Sequence, residues 1–504
     1  MNTETKKTDW ITMFIPFAIV IALMTVFIIK PDGSKQVVDT LRGFFGDTIG
    51  IYYPILAIGC VLCSLYIALT PKYGNIKLGN TTRPAYSNFK WGTMIFTSTM
   101  AADIMFYSLI EWALYGGEQY VQNLGGTQLW APTFTLFHWG PLAWGFYVIL
   151  AVCFAFMIHV RRRQRQRFSE ACRPLLGNKV DGFWGKVIDV IAIFAVVCAT
   201  ATTFSLATPL LTNAMGSVFG FEATTTITII VLLLICAVYT VTVLFGITGI
   251  SKLAGICSYL FFAILLYFLV LGGETGYIIE TGFQSLGNLM QNFIGLSTYM
   301  DPLRETGFAQ NWTVYYWAYW LVWCVATPFF IALISRGRTI RNVVFGSFGW
   351  GLAGTYLSFI ILGNYGLAQQ IKHGIDAIGY ISNGGEMYEA ILMIFNTLPL
   401  PWLALILLTI TMIAFYSTTL DGITYVTSSY SYKKISPDEE PARGIRGFWS
   451  IMLIMLPIAL LFAQNSLYSL QGVTIIAAFP VGILLILIII SFFKDFKNWN
   501  QTIK

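Results

Sequence analysis

Twelve apolar runs, each about as long as a membrane-crossing helix, recur along the chain and leave it few folds. They fall at roughly residues 11–29, 50–70, 91–115, 134–160, 186–214, 224–247, 252–274, 312–335, 342–370, 397–425, 446–464 and 470–493, numbered below as spans 1 to 12. A helix needs about 20 residues to cross a bilayer, and in hydrocarbon each segment must satisfy its own backbone hydrogen bonds. Runs of this length suit helices and not barrel strands, so an all-α polytopic membrane protein is expected. Composition agrees, with 56% apolar residues, 11% charged residues and a mean hydropathy of +0.70.

A net charge of +6 would suggest nucleic acid as a partner for a soluble protein. Here the basic residues occupy short segments between apolar runs. With both termini and the even-numbered connections in the cytoplasm, 25 of the 30 lysines and arginines lie inside; Lys30, Lys35, Arg42, Arg304 and Lys372 lie outside. That is the positive-inside pattern, so the expectation is a cytoplasmic-membrane protein with no nucleic-acid partner. Arg161, Arg162, Arg163, Arg165 and Arg167 form its strongest anchor, with Arg173 and Lys179 behind. The first run lacks a small-residue cleavage site and is read as a retained span. Seven of the eight cysteines lie in apolar runs and Cys172 in the basic loop, so neither a disulfide framework nor a zinc site is indicated. His138, His159 and His373 are too scattered to suggest a metal centre.

The chemistry gathers in Asn311 to Arg341, NWTVYYWAYWLVWCVATPFFIALISRGRTIR. On a continuous helix Trp312, Tyr316, Tyr319 and Trp323 share one stripe, with Trp320 at its edge. Arg336, Arg338 and Arg341 then mark where the span leaves the bilayer. A second cluster, HWGPLAWGFY in span 4, places Trp139, Trp144 and Tyr147 on one arc of a helix interrupted near Gly140 and Pro141. Two such faces can enclose a quaternary ammonium group, whose diffuse charge is drawn to ring faces by about 2 kcal/mol per desolvated contact. The alternative for Trp312 and Trp139 is anchoring at the membrane interface.

Span 3 reads TSTMAADIMFYSLIEW and carries Asp103 deep in an apolar run, a functional candidate by default; capping of nearby backbone is its structural alternative. Glu111 and Asp189 are read as structural or vestibular. Between spans 7 and 8, Phe283, Leu286, Leu289, Met290 and Phe293 recur at helical spacing, as in an amphipathic surface helix or a subunit contact. His373, Asp376, Glu386 and Glu389, after span 9, are expected to form part of an entrance. No filter-like motif suggests a channel, and no carboxylate pair, metal cluster or nucleophile–base set suggests an enzyme.

NWTVYYWAYW with ISRGRTIR, and HWGPLAWGFY, resemble the signatures of the betaine/choline/carnitine transporter (BCCT) family, and the likeness extends over essentially the whole chain. The resemblance implies a LeuT-like core of two inverted five-helix repeats, commonly assembled as a homotrimer. It divides the chain into residues 1–90 (tail and spans 1 and 2), 91–274 (first repeat), 275–311 (external amphipathic segment), 312–493 (second repeat) and 494–504 (cytoplasmic tail). It implies a secondary transporter of a trimethylammonium compound, with Trp139, Trp144, Tyr147, Tyr319, Trp320 and Trp323 as the aromatic box. Tyr319 replaces a residue that is often tryptophan, and Leu114 stands where carnitine-type members carry tyrosine. Ala101 and Ala102 occupy part of a segment that is usually glycine-rich.

Choline-type members resemble this chain in having aspartate at Asp103. A buried carboxylate balances choline's net positive charge but repels the carboxylate of a zwitterion, so a choline-like cation is favoured. A glycine betaine or carnitine carrier or exchanger is the alternative. Thr418 and Thr419 match the hydroxyl pair that binds Na+ in sodium-coupled members, and Cys257 stands where sodium-independent exchangers carry a basic residue. Titration of Asp103 offers proton coupling instead. No other cofactor is implied, and the remaining partner is membrane lipid.

Overall fold

The computed structural model describes residues 7–98, 102–244, 247–435, 439–462 and 467–503. Among these, extended pairing is limited to the isolated bridges Thr8–Tyr432 and Lys77–Thr339, and helices form the architecture. Spans 1 and 2 are α1 (Trp10–Ile29) and α2 (Tyr52–Leu69). Span 3 consists of α3 (Asn88–Thr97) and α4 (Ala102–Gly116), inclined at 67°. Thr99 to Ala101, the segment expected to carry alanine in place of glycine, lies outside the described residues, and Ala102 begins α4. Span 4 is α5 (Thr127–His138) and α6 (Pro141–Ala155), followed by α7 (Phe183–Phe219), α8 (Thr225–Leu244) and α9 (Ile247–Leu266).

The expected break in span 4 falls at Trp139 and Gly140. Pro141 cannot donate to the ladder, and a Cβ on Gly140 would lie 2.5 Å from the Leu136 carbonyl, so a glycine fits the tight joint. The chain turns by 111° between Gly255–Leu271 and α10 (Thr275–Thr298), through Gly273 at φ +82°. Only part of the expected apolar face of α10 is buried. Leu289 packs inward, whereas Phe283 and Met290 are 81% and 80% exposed. The inward face is instead made by Ile278, Thr281, Gly282 and Ser285; α10 packs on α5, and Gly282 leaves room for Ile360 of span 9, which a Cβ there would approach to 2.5 Å.

Span 8 departs from a continuous helix. It divides into α11 (Val314–Trp323) and α12 (Thr327–Ile334), bent by 52°. Pro328 lacks the N–H that would bond Cys324 and its ring crowds that carbonyl, so the ladder breaks just past Trp323. Spans 9 to 12 contain α13 (Ile340–Ser358), α14 (Pro401–Tyr430), α15 (Arg443–Phe462) and α16 (Leu467–Ile503). Helix α7 is the hub, packing on α1, α4, α8, α11, α14, α15 and α16. Its stretch of Ala199, Thr200, Ala201, Thr202 and Thr203, all buried, permits that crowding.

The arginines after span 4 are more than topology signals. Arg163 pairs with Asp495 on α16 at 2.9 Å, and Arg165 and Arg173 pair with Asp181 at 2.5 and 2.8 Å. Arg167 is buried and reaches Asp9 and Asp189 at 3.2 and 3.1 Å. Asp189 thus has the structural role expected of it, accepting also from the Ser169 amide at 3.1 Å. On the other face His373 meets Glu274 at 2.8 Å, and Asp376 caps the next helix through the Gly379 amide at 2.9 Å.

Candidate substrate site

Trp320, one turn before the break in span 8, is the centre of the aromatic cluster. Its ring lies 4.8 Å from Tyr147, 5.6 Å from Trp139 and 5.8 Å from Trp144, inclined to them by 56°, 72° and 56°. Strongly inclined neighbours present their faces around a shared corner, as adjacent walls of a box do. Tyr319 closes another edge, 6.4 Å from Trp139. Tertiary packing therefore brings together Trp139, Trp144, Tyr147, Tyr319 and Trp320 from spans 4 and 8. Trp323 is buried nearby in sequence, yet among the described residues it makes no ring contact with the others.

Asp103 joins this cluster through Tyr319, whose hydroxyl donates to Asp103 Oδ2. Thr203 of α7 is 2.7 Å from the same hydroxyl, so the carboxylate is held by a chain from spans 3, 8 and 5. Asp103 Oδ1 is buried without a hydrogen-bond partner, as are the indole N–H groups of Trp144, Trp320 and Trp323. An orphaned buried carboxylate oxygen is costly unless a ligand or water completes it.

A family profile described as "BCCT, betaine/carnitine/choline family transporter" matches residues 11–501. The chain belongs to the BCCT family. The "Uncharacterized transporter YeaV" of Escherichia coli (strain K12) is 27% identical over 449 residues, covering 88% of this chain and 92% of that protein. This BCCT protein is accordingly a multi-pass membrane secondary transporter and not an enzyme.

Two tryptophans lie where interfacial anchoring was the competing reading, and in this BCCT protein neither is a lipid-facing anchor. Trp139 is buried and donates from Nε1 to Glu111 Oε2 at 2.9 Å. Trp312 is buried too, donating to Glu118 at 2.7 Å. Trp312 lies before α11 in Ala309–Thr313, which is wound as a π-helix, and packs on Tyr115 at 4.9 Å. Tyr316 stacks on His138 at 4.8 Å and packs on Trp139 at 5.9 Å, so it borders the box.

Several box neighbours escaped the sequence reading. Tyr107 packs on Trp139 at 5.7 Å and on Tyr319 at 6.3 Å; it is one helical turn from Asp103, a spacing that could have pointed to it. Phe359 covers Trp139 at 4.9 Å, and Thr355 donates to the Trp139 carbonyl at 3.0 Å. Gly351 lies so near Trp144 that a Cβ there would be 2.4 Å from its ring. These three come from span 9, whose aromatic residues the motifs of spans 4 and 8 do not include.

The expected sodium ligands are less complete. Thr418 Oγ1 donates to the Ala414 and Phe415 carbonyls at 3.2 and 3.1 Å, within its own helix. Its cross-helix partner is the Cys257 thiol at 3.7 Å, a soft group unlike the oxygen ligands of a hard cation. Thr418 thus turns its hydroxyl toward its own helix, beside a soft thiol.

Proposed function

We propose that the cluster around Trp320 binds a quaternary ammonium group and that Asp103 selects a choline-like cation over zwitterionic relatives. The observation that carries this reading is the buried Asp103 carboxylate, joined to the aromatic corner through Tyr319 and with Oδ1 left without a side-chain partner. Trimethylammonium has no N–H to donate, so it is recognised by ring faces and by charge. A carboxylate about 6 Å away in a medium of effective dielectric about 20 contributes about 3 kcal/mol to a cation and opposes a second carboxylate by a similar amount. The indole N–H groups left free in the cluster offer donors to the hydroxyl end of the substrate.

Transport then follows by alternating access between two inverted repeats, spans 3 to 7 and 8 to 12, in a cytoplasmic membrane with both termini inside. The break beside Trp323 gives span 8 a joint where α11 and α12 can change angle. A homotrimer belongs to the same reading. Coupling through Asp103 by proton, or by exchange, is favoured over sodium because Thr418 turns its hydroxyl toward its own helix, beside a soft thiol. Uptake of choline, betaine and carnitine into proteoliposomes, with sodium and proton gradients imposed separately, tests all of this. Choline uptake driven by a proton gradient or by internal substrate is expected; preferential betaine or carnitine uptake, or a strict sodium requirement, overturns it.

A further inference from the structure

Glu111 and His138 are buried titratable groups that the substrate reading does not use, and one hydroxyl connects them. Tyr115 donates to Glu111 Oε1 and lies 2.6 Å from His138 Nδ1. His138 Nε2 is 3.1 Å from Thr313 Oγ1, and Glu111 Oε2 accepts the indole hydrogen of Trp139 at 2.9 Å. We propose that Glu111, Tyr115 and His138 form a buried proton relay that ends on the box residue Trp139. Glu111 is then a positioning residue, acting on substrate through Trp139.

Along the line Glu111–Tyr115–His138–Thr313 two neutral-imidazole arrangements satisfy every contact. In the first, ionised Glu111 accepts from Tyr115, His138 Nδ1–H donates to the tyrosine oxygen, and Nε2 accepts from Thr313. A proton arriving at Nε2 moves the chain to the second. The Nδ1 proton passes to Tyr115, the tyrosine proton passes to Glu111 Oε1, and Nε2–H now donates to Thr313. One proton has been added, Glu111 has become a neutral acid, and the imidazole has exchanged tautomers. Only O–H and N–H bonds are made and broken. The Trp139 N–H bond is charge-assisted in the first state and weaker in the second, so the relay sets how firmly that wall of the box is held.

The surroundings leave the charge on Glu111 uncompensated. The titratable groups facing it are Tyr107 and Tyr115 of α4, His138 of α5, and Tyr315 and Tyr316 of α11; Asp103 lies two turns away on α4. Among the described residues Glu111 makes no ion pair. A cation in the box favours ionised Glu111, so substrate binding expels the relay's proton. That link, unlike the relay itself, rests on the proposed box.

Acid-minus-alkaline infrared difference spectra of the purified full-length protein without substrate test the relay. The carbonyl band of a protonated carboxylic acid should appear on acidification, vanish in E111Q and persist in D103N. H138Q leaves the Glu111–Trp139 contact in place and should move the midpoint of the band by at least about one pH unit. A band insensitive to E111Q, or a midpoint unmoved in H138Q, overturns the relay. Choline titrations read by tryptophan emission test the link. Wild-type affinity should fall by about tenfold per pH unit below the midpoint, with E111Q flat and D103N retaining a slope. A wild-type slope in E111Q overturns the link, whereas absence of any choline response in wild type overturns the box reading and leaves the infrared test standing.

Discussion

The Tyr319 hydroxyl holds one oxygen of Asp103 while its ring lies 6.4 Å from Trp139, and the other oxygen of Asp103 has no side-chain partner. The carboxylate is thereby fixed in place without being neutralised, which is the arrangement a buried counter-charge needs. Replacing Asp103 with glycine should lower choline affinity about tenfold to a hundredfold, equal to about 1.4–2.8 kcal/mol, and improve betaine relative to choline. Competitive uptake assays with both compounds measure it. Undiminished choline uptake with no gain for betaine would refute the charge-matching argument.

Trp320 packs its ring on Trp139, Trp144 and Tyr147, whereas among the described residues Trp323 makes no ring contact with them. W320A should therefore abolish measurable choline uptake, with a loss of at least about 2 kcal/mol, or about thirtyfold, from one ring–cation contact. W323A should cost less in binding. Equilibrium binding on both variants, with surface expression matched, separates them; equal losses would place Trp323 in the box on the same footing as Trp320.

Gly351 supports Trp144 by leaving room for it. A methyl group 2.4 Å from a rigid, fully buried indole cannot be accommodated by a side-chain swing, so G351A should displace Trp144 at a cost of about 1–3 kcal/mol. The expected result is an expressed protein with substrate affinity reduced about tenfold. A variant that binds as wild type would show that the box tolerates movement of this wall.

Arg167 joins the segment before α1 to the ends of α7 and α14, donating to the Tyr430 carbonyl at 2.6 Å and to that of Tyr432. R167A leaves Asp189 buried without its counter-charge and should cost about 3–5 kcal/mol, with little rescue by R167K because lysine lacks the planar fork. Burial raises the Asp9 carboxyl, but Arg167 and Thr12 outweigh it and hold the group below its ordinary value. A depressed carboxylate contributes stability above its unfolded value, near pH 4, and loses it as pH falls through the folded one. Melting curves should thus show R167A less stable across neutral pH and with a shallower loss on acidification; parallel curves would refute the Asp9 linkage.

Much of this was legible before any coordinates. Apolar run length, which answers to bilayer thickness, placed most of the membrane helices to within a few residues, although the last continues to Ile503, through the expected tail, and span 4 starts seven residues early, at Thr127. The quoted motifs were specific enough to anticipate five aromatic residues that pack together, and an isolated aspartate in span 3 stood out because charge is costly there. The bend after Trp323 was less visible, since Pro328 acts four residues back on Cys324 and the apolar run continues unbroken across it. The partner of Trp312 was hidden for a similar reason, because nothing in span 8 marks Glu118 as the acceptor that buries it.

The sequence by itself determined that this chain spans a membrane many times on helices, and it singled out Asp103 and the two aromatic clusters. Tertiary structure decided which of those residues meet. Trp320 reaches span 4, Tyr319 reaches Asp103 and Thr203, Gly351 admits Trp144, and Glu111 proves to be tied to Trp139 and His138. The reason is physical: hydropathy and helical period act along one segment, whereas hydrogen-bond satisfaction and close packing join side chains far apart in the chain, and only the packed helices bring those atoms within reach.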